Sequence, residues 1–229
     1  VATDVPLHPI DIRDAAALAD VLTGAGFDCV MHFAALTSVA ESVTHPLLYY
    51  SNNVQGTISL LEVMQRADVP RMVFSSTAAV YGSPEKTPIR EDAEMRPINP
   101  YGRTKRIIEM ALADRGGQED GVGYTALRYF NVAGAALDGS LGEDHEPETH
   151  LIPNTLKTAL GTLDRLTLFG DDYATPDGTC IRDYIHVEDL ADAHVRAMEA
   201  LQPGDHRTYN LGIGKGISVL EIIEAARAV

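Results

Sequence analysis

Short apolar segments alternate with longer segments of helical spacing along the first 130 residues, and this alternation limits the possible folds more than any other feature. Phe27–Phe33, Arg71–Ser76 and Tyr124–Phe130 are brief apolar runs typical of buried strands. The segments that lie between these runs, Pro46–Ala67 and Pro100–Arg115, have the length and apolar spacing of helices. Strands separated by such helices form a parallel sheet covered on both faces, so the pattern predicts the α/β class.

The flanking segments are predicted less regularly. Val5–Ile10 fits a short strand and Asp14–Leu22 a helix. After Asn131 the alternation loosens into polar loops. The later elements are expected to be a helix from Leu151, a strand Leu166–Phe169, a strand Ile181–His186, a helix Val187–Leu201, a strand Thr208–Leu211 and a helix Ile217–Ala228.

Composition excludes several classes of protein. The 229 residues are 45% hydrophobic and carry a net charge of -15, which disfavours binding to nucleic acid. No apolar run reaches the roughly 18 residues of a membrane span, so we expect no membrane partner. Cys29 and Cys180 stand far apart outside any metal or redox motif, which favours ordinary buried thiols and a cytoplasmic location.

Tyr101 and Lys105 are the strongest candidates for chemistry. Asn99 and Pro100 form a helix start, so the two side chains lie on one face of its first turns. A phenol with a pKa of about 10 is a poor base near neutrality, and a neighbouring cation favours its phenolate. Thr77 follows a predicted parallel strand, at the edge where open α/β sheets bind ligands.

Longer strings extend this motif. Ser75–Gly82 (SSTAAVYG) and Asn99–Lys105 (NPYGRTK) resemble the extended short-chain dehydrogenase/reductase family. Within it, the strings His32–Leu36 (HFAAL), Leu127–Asn131 (LRYFN) and especially Gly170–Val187 (GDDYATPDGTCIRDYIHV) are similar to the branch that epimerises nucleotide sugars. The resemblance covers essentially the whole chain.

The resemblance implies a Rossmann-like doubly wound parallel sheet with a smaller mixed α/β substrate-binding lobe. It also implies an NAD-dependent enzyme that inverts C4 of a UDP-hexose, interconverting UDP-glucose and UDP-galactose through a transient 4-keto sugar. Tyr101 would be the base, Lys105 would lower its pKa and contact the nicotinamide ribose, and Thr77 would bind the C4 oxygen. A homodimer is implied, formed through helices such as 46–67 and 100–115.

The family's binding residues carry over by position. Those implied to contact NAD are Asp11, Ile12, Phe33, Ala34, Ala35, Thr37, Asn52, Thr77, Tyr101, Lys105 and Phe130. Those implied to contact the UDP-sugar are Thr77, Tyr101, Asn131, His150, Leu151, Phe169 and Arg182. Two positions depart from the pattern, because some members have Lys at the position of Thr37 and Asn at that of His150.

The resemblance also sets the domain organisation. Residues 1–131 would form a partial NAD-binding domain and 132–229 mainly the substrate lobe, with 181–205 returning to the first domain. No glycine fingerprint precedes the first strand, so the chain is expected to be truncated at both ends and to bind NAD weakly or not at all.

Three alternatives stay open: another NAD(P)-dependent nucleotide-sugar enzyme (a reductase or a dehydratase), a non-catalytic protein on the same fold, and an inactive fragment. Related dehydratases and decarboxylases place an acid just after the Thr, whereas this chain has Ala78 and Ala79. A metal site is not expected in the loop 142–150, because an H-E-x-x-H motif starting at His145 would need His where Thr149 stands.

Overall fold

The computed structural model describes residues 5–119 and 121–228. They divide into two compact units: the chain up to Arg128 together with His194–Asn210, and Tyr129–Ala193 together with the chain from Leu211. No helix within the described ranges is both long and apolar enough to cross a membrane.

The first unit is built around a four-stranded sheet in the order β1-β2-β3-β6. Its strands are β1 (Val30–His32), β2 (Arg71–Thr77), β3 (Gly123–Tyr129) and β6 (His206–Leu211). β1 and β2 are parallel, with His32 opposite Phe74. The segments that follow these two strands therefore begin at the same edge of the sheet.

Helices cover this sheet. They are α1 (Ala15–Leu22), α2 (Val39–Thr44), α3 (Pro46–Tyr49), a π-helical turn (Tyr50–Gln55), α4 (Gly56–Arg66), a 3₁₀ turn (Ala78–Tyr81), α5 (Pro100–Gly116) and the part from His194 of α7 (Val187–Ala200). The core packs the apolar faces of α4 and α5, including Leu60, Met64 and Leu112, against Met72 and Phe74 of β2. This burial is the main force that holds the helices on the sheet.

The second unit has a smaller, mixed sheet in the order β4-β5-β7. β4 (Asn131–Ala133) is parallel to β5 (Ile181–His186), and β7 (Gly216–Ser218) is antiparallel to it. Two helices, α6 (Leu151–Ala159) and α8 (Val219–Arg227), pack together. Ser218 and Glu221 form a capping box at the start of α8.

Most predicted elements are present, but two strands are wrong. Residues 5–10 are not a strand: Pro6 and Pro9 lack the N–H groups that a ladder needs, and Leu7 is exposed. Residues 166–169 are also irregular, because Leu168 and Phe169 are exposed rather than paired in a sheet.

Two further expectations are corrected in detail. The segment that returns to the first unit is 194–210 rather than 181–205, because β5 pairs with β4 and β7. Cys29 and Cys180 are free thiols, as expected, but each is half-buried rather than buried.

Candidate active site and nucleotide cavity

The first site forms where β2 ends and α5 begins. Asn99 caps α5 by accepting a hydrogen bond from the N–H of Gly102 at 2.8 Å, and Pro100 occupies the first turn. Tyr101 is thereby placed in the first turn, with its side chain buried. Thr77, the last residue of β2, is also buried, and its Oγ1 accepts from the N–H of Ala79 at 3.1 Å.

A close approach of backbones holds α5 against the turn that follows Thr77. A Cβ added to Gly102 would lie 2.6 Å from the carbonyl oxygen of Ala79 and 3.1 Å from Cβ of Pro97. Both neighbours would have to move, so only glycine fits this contact. Gly102 therefore lets the first turn of α5, which carries Tyr101, lie directly against residues 77–79.

Lys105 lies one turn further along α5 and is 2% exposed. Its Nζ donates to the carbonyl oxygen of Ser75 at 2.7 Å and lies 4.9 Å from the centroid of the Phe74 ring. Burial lowers the pKa of Lys105 to about 7, although Glu109 opposes the shift. The site thus contains a cationic group whose charge changes near neutral pH.

A buried ion pair holds the same helix, α5, against the sheet. Arg128 of β3 donates to both carboxylate oxygens of Glu109 at 2.5–3.1 Å, and Oγ of Ser76 donates to Oε1 of Glu109 at 2.5 Å. Arg128 also donates to Oη of Tyr81 at 2.7 Å. Burial alone would lower the pKa of Arg128, but the bonds to Glu109 and Tyr81 raise it. These contacts tie α5 to β2 and β3.

Asn53 joins the segment after β1 to α5. Its side chain exchanges two hydrogen bonds with the backbone of Leu36, at 2.8 and 3.0 Å, and donates to Oγ1 of Thr104 at 3.2 Å. Asn52, the residue that the family resemblance singles out, is half-buried and donates to Asn53 at 3.0 Å. The neighbouring Asn53 is a positioning residue that the sequence reasoning missed.

The remaining cofactor candidates of the first unit lie in two segments. Phe33, Ala34, Ala35 and Thr37 follow β1, at the sheet edge where Thr77 ends β2. The Phe33 ring is about half exposed and packs on His194, with the centroids 4.6 Å apart. In the other segment, Asp11 pairs with Arg13 at 2.5 Å and Ile12 packs beside Gly56.

The second unit contains a cavity of about 510 Å³. Four of the residues implied for the UDP-sugar line it: Asn131, Leu151, Phe169 and Arg182. His150 does not line it, although its neighbours Thr149 and Leu151 do, and Phe130 is also outside the lining. The Phe169 side chain is 90% exposed and is open to stacking contacts.

The cavity also contains residues that the sequence reasoning did not single out. Arg165 adds a second guanidinium, and Tyr173 and Tyr184 add aromatic rings. Both tyrosines belong to the string 170–187, so their place in that string was a usable signal. Arg165 stands in an irregular segment and had no such signal.

Comparison with known proteins agrees with this architecture. Residues 1–212 match the model of the NAD dependent epimerase/dehydratase family. The chain is 54% identical to a UDP-glucose 4-epimerase of Lactobacillus helveticus, over 96% of this chain and 66% of that protein.

Solved structures agree as well. A crystal structure of UDP-glucose 4-epimerase from Brucella ovis in complex with NAD is 51% identical in sequence to this chain. Its TM-score is 0.89, over 94% of this chain and 66% of that one. One from Bifidobacterium longum in complex with NAD+ and UDP is 43% identical, with a TM-score of 0.91 over 95% and 66%. The chain thus spans about two thirds of the length of these relatives. It belongs to the NAD dependent epimerase/dehydratase family.

Proposed function

We propose that this protein is an NAD-dependent epimerase that inverts C4 of a UDP-hexose, interconverting UDP-glucose and UDP-galactose. The observation that carries the proposal is the grouping of Thr77, Tyr101 and Lys105 where β2 ends and α5 begins. The relatives named UDP-glucose 4-epimerase, some of them with bound NAD or UDP, support it.

The residues at the sheet edge fit a dinucleotide. Small side chains, the exposed Ala34 and the half-buried Ala35, follow β1 at the sheet edge where β2 ends. Lys105 and Tyr101 offer an ammonium and a hydroxyl that can bind ribose hydroxyls. When bound, the nicotinamide would supply the acceptor and donor of the hydride at C4.

The chain's own residues move the proton. Tyr101, as phenolate, would take the proton of the C4 hydroxyl as the C4 oxygen becomes a carbonyl, and would return it after the sugar has turned over. Lys105, when charged, favours the phenolate. Thr77 would hydrogen-bond the C4 oxygen and keep it within reach of Tyr101.

The cavity of the second unit would hold the nucleotide. Arg182 and Arg165 present guanidinium groups that match diphosphate oxygens, and Phe169 offers an exposed ring to the uracil. Asn131 contributes amide hydrogen-bonding groups. Binding by these groups would anchor UDP and leave the hexose free to present either face of C4.

A dehydratase is less well supported. Elimination needs an acid next to the sugar, and the residues after Thr77 are Ala78 and Ala79. Glu109, the carboxylate one turn after Lys105, is fully engaged by Arg128 and Ser76. The 3₁₀ turn after Thr77 (Ala78–Tyr81) contains no carboxylic acid, and the phenol of Tyr81 is bonded to Arg128 and Asn210.

We also propose that the protein is a cytoplasmic homodimer. Exposed apolar side chains, Val43, Leu47, Ile58 and Met110, lie on neighbouring helices of the first unit. Several exposed apolar side chains on adjoining helices are typical of a protein interface.

The test of the function compares two Tyr→Phe variants of the protein expressed from its complete reading frame. Conversion of UDP-galactose to UDP-glucose is followed by NMR without added NAD(P)H. We expect turnover by the wild type and by Tyr209→Phe, and a loss of at least about 100-fold in Tyr101→Phe. Near-normal activity of Tyr101→Phe, or turnover by the wild type only when NAD(P)H is added in stoichiometric amount, would refute the proposal.

A further inference from the structure

The loop before α6 brings together two histidines and a carboxylate. Nδ1 of His150 lies 2.9 Å from Oε1 of Glu148 and 2.7 Å from Oε1 of Glu143. Nδ1 of His145 lies 4.0 Å from the same oxygen of Glu148, and the two imidazole centroids are 5.4 Å apart. One ligand atom from each of His145, Glu148 and His150 lies within 4.8 Å of the other two.

We propose that His145, Glu148 and His150 form a binding site for a divalent transition metal ion, for which Zn²⁺ is the natural probe. Two imidazoles and a carboxylate are a common ligand set for zinc, and water or Glu143 can fill the fourth position. Ligand atoms around tetrahedral Zn²⁺ are roughly 3.3 Å apart, given bonds of about 2.0–2.1 Å. The ligand atoms of the cluster lie within 4.8 Å of one another, so no pair is more than about 1.5 Å further apart than in such a site.

The carboxylate is already oriented. The backbone N–H groups of Thr149 and His150 both donate to Oε1 of Glu148 at 2.7 Å, and the Glu148 side chain is 5% exposed. Hydrogen bonds of this kind orient a ligand before the metal arrives. The two histidines are exposed and therefore accessible to an ion from solution.

Charge and protonation are compatible with a cation. The ion would lie close to the start of α6, where the helix dipole disfavours positive charge, but Glu143, Asp144, Glu146 and Glu148 supply excess negative charge. A neutral imidazole with its proton on Nε2 presents the lone pair of Nδ1 to the metal.

The spacing of the histidines explains why the H-E-x-x-H motif misses the cluster. That motif needs helical residues four apart, whereas an irregular loop brings His145 and His150 together. Glu148 and Thr149 also line the cavity of the second unit, so the ion would lie beside that cavity. The proposal needs only the loop residues and does not rest on the proposed catalytic function.

The experiment is a calorimetric titration of the untagged, EDTA-treated protein with Zn²⁺. We expect one ion per chain with a dissociation constant in the micromolar range or tighter. The double variant His145→Ala/His150→Ala should bind at least about tenfold more weakly, whereas His45→Ala, which removes an exposed histidine elsewhere, should bind like the wild type.

A second measurement covers the case in which the double variant does not fold, as judged by circular dichroism. Co²⁺ added to the wild type should give the visible absorption bands of a site with nitrogen and oxygen ligands, and Zn²⁺ should abolish them. Glu148→Gln should weaken binding as well. A wild type without stoichiometric Zn²⁺ binding and without Co²⁺ bands, or unchanged binding by the folded double variant, would overturn the proposal.

Discussion

The ammonium of Lys105 donates a hydrogen bond to the carbonyl oxygen of Ser75 at 2.7 Å, in surroundings that leave the lysine 2% exposed. Ser75 precedes Thr77 by two residues, and Lys105 follows Tyr101 by one helical turn. The bond therefore links the strand that carries Thr77 to the helix that carries Tyr101. Forming the bond costs free energy, because the charged ammonium must be removed from water.

That cost should appear in the pH dependence of stability. The pKa of Lys105 falls from its ordinary 10.5 to about 7 in the folded protein. Between these values the unfolded chain binds a proton that the folded protein does not, so stability rises with pH. Urea unfolding of the cofactor-free protein tests this. The free energy of unfolding of the wild type should rise relative to that of Lys105→Met by up to about 1.4 kcal/mol per pH unit between pH 7.5 and 9.5. Lys215→Met, at an exposed site, should show no such trend; a flat difference for Lys105→Met contradicts the prediction.

Gly102→Ala should disturb the site without touching a reacting group. The added Cβ would meet the Ala79 carbonyl oxygen at 2.6 Å, so α5 must move away from the turn after Thr77. We expect a loss of about 1–3 kcal/mol in the free energy of unfolding and a lower kcat. Gly117→Ala is a suitable control, because its Cβ would have no contact shorter than 3.5 Å. Equal stability and kcat in the two variants would show that the close approach is unimportant.

Removing one partner of the Glu109–Arg128 pair should lower the free energy of unfolding more than replacing both partners by apolar residues. Arg128→Met leaves the Glu109 carboxylate buried without its main partner, and we expect a loss of about 3–5 kcal/mol. The double variant Glu109→Leu/Arg128→Met should lose less than Arg128→Met alone, because no unpaired charge is left. Denaturant unfolding of the double variant and of the two single variants, Arg128→Met and Glu109→Leu, measures these losses. Additive losses from the two substitutions would argue against the buried pair as the cause.

Arg182→Ala should separate binding from chemistry. Arg182 lines the cavity of the second unit, where we propose that the diphosphate binds. We expect the KM for UDP-galactose to rise at least about tenfold with little change in kcat, because a lost ground-state contact weakens substrate and transition state alike. Arg66→Ala, on the exposed side of α4, serves as the control. An unchanged KM for Arg182→Ala would remove this residue from the site.

The proposed dimer predicts a response to charge on its apolar face. Leu47 of α3 is 80% exposed, so Leu47→Glu should fold normally and shift the protein toward monomer in sedimentation velocity experiments. Leu137→Glu, at an 86% exposed position of the second unit, should leave the oligomeric state unchanged. A wild type that sediments as a monomer would contradict the proposal directly.

The sequence predicts the elements whose signals are local. The Asn99–Pro100 start of α5 and the apolar run of β2 are visible in the chain itself, and they place Thr77, Tyr101 and Lys105 correctly along it. β4 and β7 are three residues long, too short for a periodic pattern, and both were missed. The strand predicted at 166–169 failed because its apolar residues line a cavity instead of pairing in a sheet. The cluster around Glu148 depends on the path of a loop, which residue spacing does not report.

The order of the strands in the first sheet has a consequence for synthesis on the ribosome. β6 lies beside β3, yet residues 129–193 of the second unit separate the two parts of the first unit along the chain. The edge of β3 therefore has no β6 partner until residues 129–193 and β6 itself have been translated. During that interval the exposed strand edge is open to pairing with other chains, so nascent molecules are expected to need chaperone protection before Leu211 emerges.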